Sequence, residues 1–155
     1  MKRRKLVDLN LYKPMAELVR KTNHTTLAIW AADCAERALP FFEEKYPDDT
    51  RPRKAIEACR EWARTGVFRM ADVRATALAA HAAAREVQED NAARSAARAA
   101  GHAMATAHVS THSLAAALYA ATAVRDSTNS MDDDISTTRE REWQYQHLLS
   151  LTANV

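Results

Sequence analysis

The chain has 155 residues, of which 47% are hydrophobic, so its length suits one domain that buries a core. Its 22 basic residues nearly balance its 20 acidic ones, giving a formal charge of +2. This balance argues against the strong positive field that a nucleic-acid-binding protein uses, and no nucleic-acid partner is expected.

The first half of the sequence predicts a lead-in followed by two helices. Residues 1–25 form a partly irregular lead-in, and residues 26–151 form a single helical domain. The first strong helix is predicted over 26–45, with a kink or break at Pro40. A turn at 46–49 leads to a helix that Thr50 caps and Gly66 ends in a left-handed conformation.

The second half predicts at least four further helical segments. One runs over 70–88, and the next is capped by Asp90 or its neighbour and reaches Val109. Ser110 and Thr111 suggest a break and a new N-cap before a helix that ends near residue 125, although one continuous helix is the alternative. A polar loop over 126–130 precedes a last helix over 136–151.

Alanine dominates the region from 75 to 124, where it recurs in runs with no proline and with Gly101 as the one glycine. Alanine has the highest helix propensity, and its small side chain lets helices approach closely. Gly101 lies inside a predicted helix, so we expect it at a close helix–helix crossing. The sequence therefore predicts an all-α, compact bundle of five to seven helices, with an alanine-rich core and no sheet.

Two cysteines, Cys34 and Cys59, lie on predicted apolar helix faces. Two cysteines in a chain of this length favour reduced thiols and a cytoplasmic protein, with a disulfide possible only if those faces meet. The stretch 99–124 carries no Asp, Glu, Lys or Arg, but its histidine, serine and threonine residues favour a buried soluble hairpin over a membrane span.

The histidines are the main candidates for chemistry. His108 and His112 are four residues apart, a spacing that can bind metal on one helix, but two ligands do not make a site. We interpret His108 as a hydrogen-bonded core histidine within a buried polar network that also includes Asp33, Arg37 and His81. No phosphate-binding glycine loop, CxxC, HExxH or nucleophile motif is present. We expect no catalytic residue, cofactor or metal ion.

Several segments together resemble a bacterial family of putative immunity proteins and cover residues 26–147. They are LAIWAADCAER at 27–37, PDD at 47–49, RPRKAIEA at 51–58, AAHAAARE at 79–86, AAGHA at 99–103, ATAHV at 105–109 and EWQ at 142–144. The resemblance implies a helical domain that binds and neutralises a partner toxin. It carries no functional residues that could be transferred to this chain.

Residues and resemblance together predict a non-enzymatic module that binds a partner protein. The candidate surface is the charged turn that contains Asp48, Asp49, Arg51 and Arg53, because loops on rigid scaffolds often carry recognition. The alternative is a helical protein that binds a small molecule or a metal, or an enzyme, built around three histidines. These are His81, His108 and His112.

Overall fold

The computed structural model describes residues 11–128 and 133–154, and every regular element within these ranges is an α-helix. The helices are α1 (Tyr12–Lys21), α2 (His24–Ala38), α3 (Pro40–Glu43), α4 (Arg51–Thr65), α5 (Met70–Glu86), α6 (Asn91–Ala105), α7 (His112–Ser127) and α8 (Asp133–Ala153). Seven of the described helices have ten residues or more, and α3 is a single turn of four. The all-α prediction is confirmed.

Local sequence signals account for most of the helix ends. The Asn23 side chain caps α2 by accepting a hydrogen bond from the Thr26 amide at 2.8 Å. Pro40 stops α2 and begins α3, which confirms the predicted break. Gly66 ends α4 with a φ of 71°, and the Asp90 carboxylate caps α6 by accepting from the Ala93 amide at 2.9 Å.

Thr50 and Thr111 take the predicted N-cap positions of α4 and α7. Neither side chain makes a capping hydrogen bond, however, because both backbones are helical there. At α4 the Asp49 carboxylate takes this role by accepting from the Arg51 amide at 3.2 Å. Helix α6 ends at Ala105, before the predicted end at Val109. The connection over 106–111 confirms the predicted break before α7.

Helix α6 lies at the centre of the bundle, with α2, α3, α4, α5 and α7 packed against it. Ten of its fifteen residues are buried, and eight of those ten are alanine or glycine. They are Ala92, Ala93, Ser95, Ala96, Ala97, Ala99, Ala100, Gly101, Ala103 and Met104. Small side chains on every side of one helix allow this many neighbours to pack on it.

Polar contacts join α8 to the bundle. The buried Gln144 accepts a hydrogen bond from the Trp30 indole at its backbone carbonyl, 2.8 Å away. Its side-chain amide donates to the Ala117 carbonyl at 2.8 Å, and its side-chain oxygen accepts from Arg141 at 2.9 Å. Gln144 thus connects α2, α7 and α8, whose residues are far apart in sequence.

Both cysteines are buried and free. The Cys59 thiol donates to the Ala28 carbonyl at 3.4 Å. Burial raises the pKa of the Cys34 thiol well above its ordinary value and that of Cys59 to about 12. Both groups are therefore neutral packing residues. The division into a lead-in and a domain beginning at residue 26 stays a prediction, although Met15 of α1 is buried within the same core cluster.

Gly101 lies at a close crossing of α5 and α6, as predicted. A Cβ atom built there would be 2.7 Å from Nε2 of His81. We predict that Gly101→Leu lowers the free energy of unfolding by about 1–3 kcal/mol through overpacking. Urea denaturation measures this change.

A double-mutant cycle isolates the contact itself. Gly101→Ala should stabilise α6 by about 1 kcal/mol through its higher helix propensity. When His81 is present, the clash of the new methyl group with its ring should offset this gain. In a His81→Ala background the gain should appear in full. An equal effect of Gly101→Ala in both backgrounds would contradict the proposed contact.

Candidate functional site

An exposed group of large apolar side chains covers one part of the surface. This apolar patch consists of Val67, Phe68, Met70, Leu78 and Val109, whose exposed fractions run from 39% to 63%. Gly66 ends α4 with a left-handed backbone conformation, and the residues that follow form an irregular connection before α5. The patch is therefore built from two connections and the outer face of α5.

Two neighbouring grooves lie among the residues of the patch. The first, of about 350 Å³, has Val67, Trp62 and Met104 among its lining residues. The second, of about 220 Å³, has Met70 and Leu78 in its wall. Val73 lines both grooves. Surfaces of this kind on soluble proteins commonly mark binding sites.

The second groove also brings together three histidines named in the sequence analysis, His81, His108 and His112. His108 is exposed and stacks on the Phe68 ring with centroids 6.1 Å apart. The prediction that His108 is a buried core histidine is therefore wrong, because the chain leaves α6 before this residue and places it in the connection.

A histidine cluster lies at the inner edge of this groove and consists of His81, His102 and His112. The Nδ1 atoms of His102 and His112 are 3.0 Å apart, so one ring donates a hydrogen bond to the other. The rings of His81 and His102 meet edge to face, with centroids 4.9 Å apart. His102 also stacks on the Tyr119 ring at 5.2 Å.

The surroundings of the histidine cluster favour neutral rings. Burial is the main cause, and it lowers the pKa of His102 to about 4, with positive charge at His81, His112 and Arg98 acting in the same direction. The pKa of His81 is lowered by burial and by Arg98 and Arg85, and that of His112 by burial and His108. The cluster is a set of neutral hydrogen-bonding rings near neutral pH.

The predicted polar network is divided between two places in the fold. Asp33 accepts from Arg60 at 2.9 Å and lies 2.8 Å from the His147 ring nitrogen. Arg37 donates to Glu140 at 2.6 Å. Both groups join α2 to its neighbours α4 and α8, whereas His81 and His108 lie at the patch. The four residues thus do not form one network.

His147 and Glu140 are the members that the sequence analysis missed. They are seven residues apart on α8 and so share a face with Trp143 between them. Trp143 stacks on His147 at 4.7 Å, and the Arg37 guanidinium lies 3.9 Å from the Trp143 ring centre. Helical spacing in the last helix could have indicated this face, but not its partners on α2.

The charged turn predicted as a partner surface is largely satisfied by its own ion pairs. Arg51 donates to Asp49 at 2.7 Å and to Glu86 on α5 at 2.5 Å. Arg53 donates to Glu43 at 2.6 Å. Asp48 is exposed beside them. These pairs attach the turn to the bundle.

Within residues 11–128 and 133–154, no group of three histidine, cysteine or carboxylate side chains has the geometry to hold a metal ion. The described helices include none whose length and hydropathy would let it cross a bilayer.

Comparison with known proteins identifies the family. The family described as "Imm-5 like putative immunity protein" matches residues 17–151, which is most of the chain. The chain belongs to this family, and the resemblance noted in the sequence is confirmed. No curated protein and no solved structure matches it.

We predict that His108→Ala changes the free energy of unfolding by no more than about 0.5 kcal/mol, because the ring is exposed and its removal creates no buried unpaired group. Urea denaturation checks this value. Gln144→Ala is the matched comparison, since it removes a buried side chain with two hydrogen bonds and should cost about 1–3 kcal/mol or more. A His108 variant as unstable as the Gln144 variant would contradict the exposed placement.

The histidine cluster should make stability depend on pH. Its folded-state pKa values lie below the ordinary value of about 6.5, so the unfolded chain binds more protons as the pH falls. The contribution is complete above this value and is lost as the pH falls toward the folded pKa of His102, about 4. We expect a lower free energy of unfolding at pH 5.5 than at pH 7.5.

The variant His102→Gln provides the control for this pH effect. The pH-dependent loss should shrink by up to about 1 kcal/mol, a figure discounted for the partial exposure of the ring. Both pH values lie above the range in which the ion-paired carboxylates titrate. An unchanged pH dependence in this variant would show that His102 does not contribute.

Proposed function

We propose that this chain is a cytoplasmic, non-enzymatic immunity protein that binds a partner protein toxin, with the apolar patch at the centre of the contact. The observation that carries the proposal is the exposure of five large apolar side chains in and beside two grooves that share Val73. Family membership supplies the kind of partner, because the family is described by an immunity role.

The composition of the patch suits a protein partner. Leu78 is 55% exposed and Val67 is 63% exposed, so both leave apolar area in water that a partner surface would remove. Phe68 offers an aromatic anchor, and aromatic side chains are enriched at the centres of protein interfaces. The grooves on either side of Val73 can receive side chains of the partner.

The charges around the patch also support it as the contact. Arg69, Asp72 and Arg74 are exposed, and none has an ion pair within the described part of the chain. In contrast, Asp49 and Arg53 at the turn already have charged partners. Rim charges without internal partners are free to pair across an interface and to set its association rate.

A second candidate function rests on the groove that His81, His108 and His112 line. Its wall is mainly apolar, with Val73, Ala77 and Leu78 in it. This lining favours a small apolar ligand, with the histidines as hydrogen-bonding groups. Binding of a small ligand in this groove therefore stays the alternative proposal.

We predict that the double variant Phe68→Ser/Leu78→Ser weakens binding to the partner toxin by tenfold or more, on the order of a two-residue hot spot. The candidate partner is a toxin-like protein encoded beside the gene for this chain. The dissociation constant of the purified pair gives the measurement, and most of the change should fall in the dissociation rate. The same variant should lose the ability to restore growth of cells that express the toxin.

Two further variants distinguish the surfaces. Ile135→Ser removes an apolar side chain of 56% exposure on α8, outside both grooves, and should bind like the wild type. Asp48→Lys tests the charged turn and should have only a small effect through long-range charge. Full binding by the patch variant with lost binding by Asp48→Lys would move the contact to the turn. Failure of the chain to bind or protect at all would remove the immunity proposal.

A further inference from the structure

A further and more polar pocket, the basic pocket, lies beside the histidine cluster, between α5, α6 and α7. It has a volume of about 190 Å³. His81 and Arg85 contribute from α5, Arg98 and His102 from α6, and Tyr119 from α7. None of these lining side chains is acidic, so the pocket combines two guanidinium groups, two imidazoles and a phenol.

The two arginines lack the carboxylate partners that several other arginines of the bundle have. Arg51, Arg53 and Arg60 all donate to carboxylates. Arg85 and Arg98 have no carboxylate partner within the described residues, although both line the pocket, Arg98 as a half-buried residue and Arg85 at the exposed edge. Their positive charges therefore converge on the pocket without being neutralised there.

Aromatic contacts hold this arrangement. The Arg98 guanidinium lies 5.9 Å from the centre of the Tyr119 ring. Tyr119 in turn stacks almost parallel on His102, with an angle of 8° between the rings. Tyr119 thus contacts both Arg98 and His102, and these contacts restrict the positions of the hydrogen-bond donors.

We propose that this pocket binds a phosphate-sized oxyanion, either inorganic phosphate or the phosphoryl group of a small molecule. This proposal does not rest on the proposed toxin contact at the apolar patch, although His81 lines both this pocket and the neighbouring groove. Arginine is suited to the role because its planar fork of N–H groups matches two oxygens of a phosphate group. The Tyr119 hydroxyl and the imidazole N–H groups can supply further donors.

The electrostatics of the pocket agree with an anion ligand. Arg98 and Arg85 help to lower the pKa of His81, and Arg98 helps to lower that of His102, because like charges disfavour protonation. A bound anion would reverse this repulsion and raise both values. Binding should therefore take up protons and strengthen as the pH falls.

Calorimetric titration of the full chain with inorganic phosphate at constant ionic strength tests the site. We expect saturable binding by the wild type and binding at least about tenfold weaker in Arg98→Gln, since a charge-assisted contact is lost. Arg98→Lys keeps the charge but loses the fork and should be intermediate. Arg139→Gln, which removes an exposed arginine on α8, should bind phosphate like the wild type.

Sulfate gives the pH arm, because its charge does not change between pH 7.5 and 5.5. NMR titration should show that sulfate raises the pKa of His81 and His102, and that this rise is smaller in Arg98→Gln. The charged and titratable groups involved are Arg98 on the same helix as His102, the α5 pair His81 and Arg85, and the α7 pair His112 and Tyr119.

The outcomes distinguish free phosphate from a phosphorylated small molecule, and failure of this proposal from failure of the proposed toxin contact. Tighter binding of a small phosphate monoester than of inorganic phosphate would indicate a phosphorylated metabolite as the ligand, and the reverse would indicate the free ion. No saturable phosphate binding by folded wild-type protein, equal affinity in Arg98→Gln, or acetate binding as tight as phosphate would each overturn the proposal. The patch variant Phe68→Ser/Leu78→Ser should still bind phosphate, so failure of one proposal does not imply failure of the other.

Discussion

The packing of the bundle depends on the small side chains of helix α6. Alanine and glycine at almost every buried position of this helix let five other helices pack on it. Where α5 crosses α6, Gly101 leaves the space that the His81 ring occupies, since a Cβ atom would be 2.7 Å from that ring. His81 lines both the groove beside the apolar patch and the basic pocket, so its position affects both proposed sites.

Tight packing by alanine also affects where binding can take place. Ala96, Ala100 and Ala103 are fully buried, and any larger side chain there would overpack the bundle. Five of the seven large apolar side chains that are exposed within the described residues lie in the two connections and on α5, whereas Ile135 and Leu149 lie on α8. We therefore propose the surface around α5 for recognition, because the core does not determine the residue types there.

Sequence reasoning succeeded where a feature has a local cause. Pro40, Gly66 and Asp90 fixed helix ends because each acts on the backbone within one turn, and Gly101 indicated a close crossing because glycine inside a helix needs a packing reason.

Contacts between distant residues could not be predicted in this way. Asp33 was assigned to a network with histidines, but its histidine partner is His147, which is 114 residues away. His108 was interpreted as a core histidine, whereas α6 ends before this residue and leaves it exposed beside Phe68. The apolar patch escaped notice because exposed apolar residues look like core residues in a sequence, and only the packing of the helices separates them.

We propose that the surface around α5 is the contact for a protein partner. Hydrogen–deuterium exchange of the chain, alone and in complex with a candidate partner toxin, tests this contact. We expect slower exchange in the complex over residues 66–78 and 106–112, where the patch and its grooves lie, with little change over 45–53. Protection confined to 45–53, or absent from 66–78, would contradict it.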